Sequence, residues 1–220
     1  AVPLARWVAP AALVSLTMLA ISLLVARDMS ILSRLGLAVG AGLVPASLMP
    51  LVGRSLRRTP LATWGMATAH LGVAVSLIGM ASDSAFTRET LAIARPGDRL
   101  TVGPWLVEFK SVDPVAGPNW TAIEAELRAT RGGGVEVLRP QARTFTDPPT
   151  DTNESAIATA WNGQLYTVLG AARGDGWQLR LWWKPFVTLI WFGGVLMGLG
   201  GLLALGGRLW RGRRRGEEEQ

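Results

Sequence analysis

Four long runs of apolar residues, each without a charged side chain, dominate the pattern along the chain. They comprise residues 7–26, 35–53, 61–82 and 185–207. An α-helix rises about 1.5 Å per residue, and the hydrocarbon core of a bilayer is roughly 30 Å thick. Runs of 19 to 23 residues are therefore long enough to cross it, and the pattern predicts four transmembrane helices.

The segment between the third and fourth runs, residues 83–184, has a different pattern. Apolar and polar residues alternate over 105–110 and again over 177–183, as in a half-buried strand. The dipeptide Asn162-Gly163 is a strong hairpin signal. Residues 123–129 alternate too, which predicts a strand although the stretch contains many helix formers, and the glycines 132–134 favour a hairpin after it. We expect a small antiparallel β-barrel or sandwich, with an OB-like barrel as one form.

The distribution of charge bears on topology and partners. The chain has a net charge of +6, yet residues 83–184 contain 11 basic and 12 acidic residues, a net of −1. The excess positive charge lies in the flanks of the apolar runs and in the tail, most of it in the loop 54–60 and in residues 208–220. By the positive-inside rule this predicts cytoplasmic ends and a periplasmic segment 83–184 in a bacterial inner membrane. Such a distribution does not favour a nucleic-acid-binding groove.

The only histidine of the chain, His70, lies near the middle of the third apolar run. Its neighbours are small (Ala67, Ala69, Gly72 and Ala74), so another helix or a flat ligand could approach closely. An ionisable group at this depth usually faces a protein interior, a cavity or a cofactor. His70 is either hydrogen-bonded to a Ser or Thr of a neighbouring helix or a ligand of a metal such as haem iron. The helix alone leaves both interpretations open.

Other candidate chemistry is weaker. The chain has no cysteine, which excludes disulfides, Cys-ligated metals and thioether attachment of haem to this chain. It has no P-loop or dinucleotide fingerprint. The acidic residues of the segment 147–154 lack EF-hand spacing, and we interpret them as a solvated loop. For the methionines of the other runs, Met18, Met49 and Met197, we expect packing in a helical core. For Trp182, Trp183 and Trp210, we expect anchoring at the membrane interface.

Several separated blocks of the sequence resemble one known family. They are Thr63-Trp-Gly-Met66, Ala69-His-Leu-Gly-Val-Ala-Val75, Asp83-Ser-Ala-Phe86, Val115-Ala-Gly-Pro-Asn-Trp120, Trp161-Asn-Gly-Gln-Leu-Tyr166 and Leu179-Arg-Leu-Trp-Trp-Lys-Pro-Phe-Val-Thr-Leu-Ile-Trp191. The chain resembles the C-terminal portion of the CcmF family of cytochrome c-type biogenesis proteins. The resemblance covers nearly the whole chain.

The resemblance implies a subunit of a cytochrome c haem lyase. Members of the family are multi-pass inner-membrane proteins that take haem from the chaperone CcmE and act with CcmH-type subunits on apocytochrome c. They also hold a b-type haem between two transmembrane histidines. His70 matches one of these iron ligands, and the second axial ligand is expected outside this chain. The periplasmic domain is expected to dock partners, with Trp120 as a contact, although Trp120 could equally be a core residue.

The chain also departs from the family pattern. The family is considerably longer, and its Trp-rich signature, its external histidines and its other transmembrane histidine have no counterpart here. We therefore expect a fragment or one piece of a split protein, inactive alone and assembled with the remainder of a CcmF-type protein in the lipid membrane. Without the resemblance, the alternative is a non-catalytic, membrane-anchored periplasmic scaffold without a cofactor.

Overall fold

The computed structural model of the chain describes residues 4–218 and divides into a helical unit and a β unit. The side chains of residues 4, 6, 7 and 210–218 are outside the description, so the interface role expected of Trp210 concerns a side chain outside the described residues. The β unit comprises residues 86–185, and the helical unit comprises the described residues on either side of it.

Four long helices form the helical unit. They are α1 (Leu4–Val25), α2 (Ile31–Leu48), α3 (Leu61–Phe86) and α4 (Thr188–Glu218), with short 3₁₀ helices at Met49–Leu51 and Leu56–Arg58. Each long helix contains a segment that is long and apolar enough to cross a membrane. The prediction of four apolar helices is confirmed.

The helix ends differ from the predicted ends for local reasons. α2 begins at Ile31 rather than at residue 35, because the Ser30 hydroxyl accepts a hydrogen bond from the Ser33 amide and caps the helix. α2 ends at Leu48 rather than at residue 53, and Pro50 lies in the 3₁₀ turn that follows. α4 begins at Thr188 rather than at residue 185, because Pro185 is still part of a strand.

Glycines set the spacing between the helices. Gly42 of α2 packs against α1, while Gly36 and Gly40 pack against Ala81 and Ile78 of α3. The α3–α4 contact is built from two series spaced seven residues apart, Gly65, Gly72 and Gly79 on α3 and Gly193, Gly200 and Gly207 on α4. A Cβ atom added to Gly72 would lie 2.6 Å from the Gly193 carbonyl oxygen. Backbone therefore packs against backbone at the α3–α4 contact, whereas Gly36 and Gly40 of α2 pack mainly against side chains of α3.

The β unit is a sandwich of ten strands. They are β1 (Arg88–Ala94), β2 (Arg99–Val102), β3 (Trp105–Ala116), β4 (Trp120–Arg131), β5 (Gly134–Leu138), β6 (Gln141–Thr146), β7 (Pro149–Glu154), β8 (Ala156–Ala160), β9 (Gly163–Arg173) and β10 (Gly176–Pro185). One antiparallel sheet has the order β1-β10-β9-β8, and the other has the order β2-β3-β4-β6-β7 with β5 paired to β4. The predicted antiparallel β domain is confirmed, in its sandwich form.

The core of the sandwich lies between the inward faces of the two sheets. Leu165, Leu169, Leu179 and Leu181 come from one sheet, and Val107, Phe109 and Leu127 are among the residues from the other. The strand predicted over residues 123–129 is confirmed, because this stretch is the middle of β4. Its inward side chains Ala125, Leu127 and Ala129 are fully buried, so packing against the facing sheet outweighs local helix propensity.

Two adjacent tryptophans of β10 lie on opposite faces of their sheet. Trp183 is 6% exposed and packs in the sandwich core, with its ring centroid 6.4 Å from that of Trp105. The interface role predicted for Trp183 is therefore wrong, because strand alternation turns this side chain inward. Trp182 faces outward and is half-buried, and the Arg180 guanidinium lies 4.6 Å from its ring centroid.

The acidic segment 147–154 is a hairpin rather than a loop. It forms the turn between β6 and β7 and the whole of β7, and the Thr144 hydroxyl donates to the Asp151 carboxylate across the two strands. Among the described residues, no group of three or more His, Cys, Asp or Glu side chains is arranged to hold a metal ion.

Candidate functional site

His70 lies on α3, nine residues after its first residue, and its side chain is exposed within this chain. It lines a cavity of about 210 Å³ between α3 and the C-terminal end of α2. The other lining residues are Leu43, Ala46, Ser47, Pro50, Met66 and Ala67. The cavity forms here because α2 ends at Leu48 and the chain then turns at Pro50.

A hydrogen bond within α3 sets the tautomer of His70. Its Nδ1 atom lies 2.8 Å from the Met66 carbonyl oxygen, one turn earlier in the helix. A carbonyl oxygen can only accept, so Nδ1 carries the proton and donates it. In the neutral imidazole, this tautomer leaves the lone pair on Nε2. A histidine whose second ring nitrogen donates to a carbonyl is the usual form of a metal-ligating imidazole.

The alternative for His70, a hydrogen bond to a Ser or Thr of a neighbouring helix, is not what the structure shows. Ser47 of α2 lines the same cavity, but its hydroxyl donates to the Leu43 carbonyl oxygen at 2.6 Å within its own helix. Other serines of this unit do bond between helices, as Ser76 does to the Ile190 carbonyl at 3.2 Å. Unlike Ser76, His70 makes its hydrogen bond within its own helix.

The cavity beside His70 is too small to enclose a cofactor by itself. Its volume is below the 300–1,000 Å³ range of sites that bury a small molecule. Two of its walls are the small side chains of Ala46 and Ala67, which leave the imidazole accessible. A flat macrocycle bound at Nε2 would extend beyond these residues, so further walls and a second ligand have to come from elsewhere. The donor chemistry fits one axial ligand of a haem.

The methionines considered beside His70 do not complete the ligand set. Met197 of α4 packs against Gly72, which faces α4, whereas His70 faces the cavity at α2. Met66 does line the cavity, and its carbonyl accepts the hydrogen bond that orients His70. Packing accounts for Met197, as expected from the sequence. Sequence reasoning missed the α2 wall of the cavity, since only the position of Pro50 signalled a helix end there.

A second candidate surface lies on the β unit, around Trp120 at the start of β4. Trp120 is half-buried and outside the sandwich core, so neither the core alternative nor a fully exposed side chain describes it. Its ring packs on Gly117, and the Arg143 guanidinium lies 4.3 Å from the ring centroid. An open groove of about 360 Å³ adjoins it on the same strands, lined by Pro114, Val115, Ala116, Thr121, Ala122, Ile123, Ala142 and Thr144.

Ion pairs cover much of the remaining surface of the sandwich. The Arg180 guanidinium donates to the Glu89 carboxylate at 2.6 Å and lowers the pKa of Glu89. A hydrogen bond from Lys110 similarly lowers the pKa of Glu108. The Glu126 carboxylate raises the pKa of Arg139. The Glu89 and Glu108 carboxylates therefore remain ionised at neutral pH. Their part of the surface is charged, whereas the groove beside Trp120 is lined by uncharged residues.

Comparisons with known proteins cover both units of the chain. Residues 85–185 match the family described as the CcmF C-terminal beta-sandwich. The cytochrome c-type biogenesis protein CcmF of Escherichia coli (strain K12) is 35% identical over 175 residues, which are 78% of this chain and 27% of that protein. CcmF of Pseudomonas aeruginosa is 37% identical over 160 residues, 72% of this chain and 24% of the relative.

Two further matches agree with these. CycK of Bradyrhizobium diazoefficiens, also named a cytochrome c-type biogenesis protein, is 34% identical over 200 residues, 84% of this chain and 30% of the relative. A solved structure named Cytochrome c Heme Lyase CcmF has a similar fold, with a TM-score of 0.69 at 24% identity over 88% of this chain and 34% of that one. The chain thus spans about a quarter to a third of the length of these proteins.

Proposed function

Because the chain belongs to the CcmF family of cytochrome c-type biogenesis proteins and matches its C-terminal portion, we propose that it supplies His70 as one axial ligand of a b-type haem in the membrane. The chain spans 27% of the Escherichia coli relative. The second axial ligand and the rest of the haem pocket therefore belong to the remainder of a longer or split CcmF-type protein. In this proposal the chain is one part of a haem lyase in the bacterial inner membrane.

The observation that carries the proposal is the orientation of the His70 imidazole. The Met66 carbonyl accepts from Nδ1 and leaves the Nε2 lone pair directed away from its own helix turn. The ring is exposed beside a cavity with two alanine walls. A bound b-type haem would supply one-electron redox chemistry. The residues of this chain would hold the iron at Nε2, fix the ring through the Met66 carbonyl and shield one face of the site with α2.

The first test is a reduced-minus-oxidised absorption spectrum of the chain purified with its membrane partner or N-terminal part. We expect a sharp b-type signal that His70→Ala abolishes, because no other imidazole of this chain can replace it. His70→Gly should regain the signal when free imidazole is added, since imidazole can ligate iron in the vacated space. An unchanged low-spin spectrum in His70→Ala would contradict the proposal.

A matched pair of tryptophan variants tests the cavity itself. Ala46→Trp should fill the space beside His70 and reduce haem content while the imidazole is retained. Val39→Trp is the control, because Val39 is exposed on α2 two turns earlier and does not line the cavity. Equal haem content in the two variants would show that the cavity is not part of the haem site. Absence of haem from every folded sample, wild type included, would favour the scaffold alternative.

For the β unit, we propose that it docks components of the maturation system from the periplasm, with CcmE and CcmH-type subunits as the expected partners. Support comes from the surface at Trp120, where an aromatic ring beneath Arg143 adjoins an uncharged groove. Half-buried tryptophans paired with arginines are typical of residues that dominate binding energy at protein interfaces. Apocytochrome c would then be presented to the assembled complex rather than to this chain alone.

Co-purification tests the docking surface. Trp120→Ala should weaken capture of CcmE or of the CcmH-type subunit by about 2 kcal/mol or more, the usual cost of removing such an interface residue. Leu91→Ala is the control, since Leu91 is 55% exposed and lies on the other sheet. Capture by Trp120→Ala at the wild-type level would rule out a role for this ring in docking.

A further inference from the structure

Trp161 has the most exposed large hydrophobic side chain of the described residues, at 87%. It lies between β8 and β9, at the tip of their hairpin. Alternation along the strand places Ile157 and Thr159 on the outward face, and both are exposed. Exposing an indole to water is unfavourable, so an environment other than water is expected at this tip.

The strand register places this tip at one particular end of its sheet. Gly163 pairs with Pro185, the last residue of β10, and with Ala160 of β8. At the same end, Arg88 at the start of β1 pairs with Trp183. The hairpin tip therefore lies where β1 enters the sheet and β10 leaves it.

The chain connections at this sheet end are short. Only Thr87 separates β1 from α3, and only Phe186 and Val187 separate β10 from α4. Each residue spans at most about 3.6 Å. Both neighbouring helices are long and apolar enough to cross a membrane. The backbone thus tethers this end of the sheet, rather than the opposite end, to two membrane-spanning segments.

The side chains near this end have the composition of a bilayer interface. Trp182 pairs directly with Tyr166 across the sheet, and Tyr166 pairs with Ile157 on the far side. The Lys184 ammonium lies 5.6 Å from the Tyr166 ring centroid. Tryptophan and tyrosine rings concentrate at the headgroup level, where their polar edges reach water, and lysine and arginine side chains reach lipid phosphates there.

From these observations we propose that Trp161 inserts into the lipid headgroup region and anchors the β sandwich to the membrane surface. The ligand is a phospholipid surface, contacted by the indole at the hairpin tip, with Lys184 nearby to pair with phosphate. The inference is independent of the haem ligand and of partner docking. The membrane-interface role that the sequence predicts for Trp183 is thereby assigned to Trp161. The strand pairing places both residues at the same end of the sheet.

Lipid-dependent quenching of a fluorescent label tests this anchor. The chain has no cysteine, so Thr159→Cys introduces a single labelling site on the outward face of the hairpin. The full chain would be reconstituted in nanodiscs of phosphatidylcholine and phosphatidylglycerol. Asp175→Cys is the matched control, because Asp175 lies in the β9–β10 turn at the opposite sheet end and its ion pair with Arg95 is exposed.

We expect headgroup-level spin-labelled lipid to quench the label at residue 159 and not the label at residue 175. In the Thr159→Cys background, Trp161→Asp should abolish this quenching, and Trp161→Tyr should retain it because a phenol also partitions to the interface. Three results would overturn the proposal: quenching at residue 159 by an aqueous quencher only, protection from both quenchers, or unchanged lipid quenching in Trp161→Asp. Protection from both would mean that protein covers the tip.

Discussion

Arg34 shows how a single charged side chain can belong to an apolar helix. It is 8% exposed and is the fourth residue of α2, at the end of the first turn. Its guanidinium donates to four backbone carbonyls at or just beyond the C-terminal end of α1, those of Ser22, Ala26, Arg27 and Met29, at 2.7–3.0 Å. The Ser22 and Ala26 carbonyls also accept from the Ala26 and Met29 amides, so the guanidinium adds donors at the end of α1 where the helix dipole is negative. Arg34 thus joins α1 to α2 without a carboxylate.

Replacing Arg34 by Met should destabilise the α1–α2 hairpin by about 2–4 kcal/mol, because buried carbonyls lose charge-assisted hydrogen bonds. Arg34→Lys should lose less, since it keeps the charge but not the planar set of donors. Thermal unfolding of the purified chain in detergent, followed by circular dichroism, measures both variants. A transition of Arg34→Met at the wild-type temperature would contradict this role.

At the scale of residues, the sequence shows which residue is unusual but does not show which residues it contacts. His70 could be selected as a site residue because it is the only imidazole and lies in an uncharged run. Its cavity could not be predicted, since Ala46 and Pro50 approach it only through the packing of α2 on α3. The second charge-free run begins only after Arg34, because an isolated charge is costly in lipid. The carbonyls that remove this cost come from a different helix.

At the scale of elements, alternation and turn residues are reliable guides to the β unit, and sheet order is not. The hairpin at Asn162-Gly163 and the strand over residues 177–183 are both present, because short-range turn geometry and side-chain alternation specify them. The pairing of β1 with β10 joins the two ends of the domain. It depends on contacts between residues distant in sequence, which local patterns do not contain.

The helices show the same limit. Their number follows from hydropathy and length, but their packing partners do not. The structure shows that α4 packs on α3, which carries glycines at the same seven-residue spacing on the face toward α4. A spacing of seven corresponds to two helical turns, so each series stays on one face. The period alone could have suggested the pairing of Gly65, Gly72 and Gly79 with the α4 series.

At the scale of the whole molecule, the two units have separate interiors. The sandwich has its own hydrophobic core, with Leu179 and Leu181 fully buried between the sheets. The helical unit is held by glycine contacts and interhelical hydrogen bonds such as that from Ser76 to the Ile190 carbonyl. The His70 cavity is lined only by residues of the helical unit. Stability of the sandwich and haem binding should therefore be separable properties.

Leu179→Ala tests this separation. Truncating a fully buried leucine should lower the free energy of unfolding of the sandwich by about 2–5 kcal/mol, because it removes apolar contacts and leaves a cavity. Hydrogen exchange of the strand amides measures this loss, and the exposed Leu91→Ala should show little of it. Below the unfolding transition, the b-type spectrum of Leu179→Ala should match that of the wild type. Loss of haem at a temperature where the strands remain protected would show that the sandwich takes part in forming the haem site.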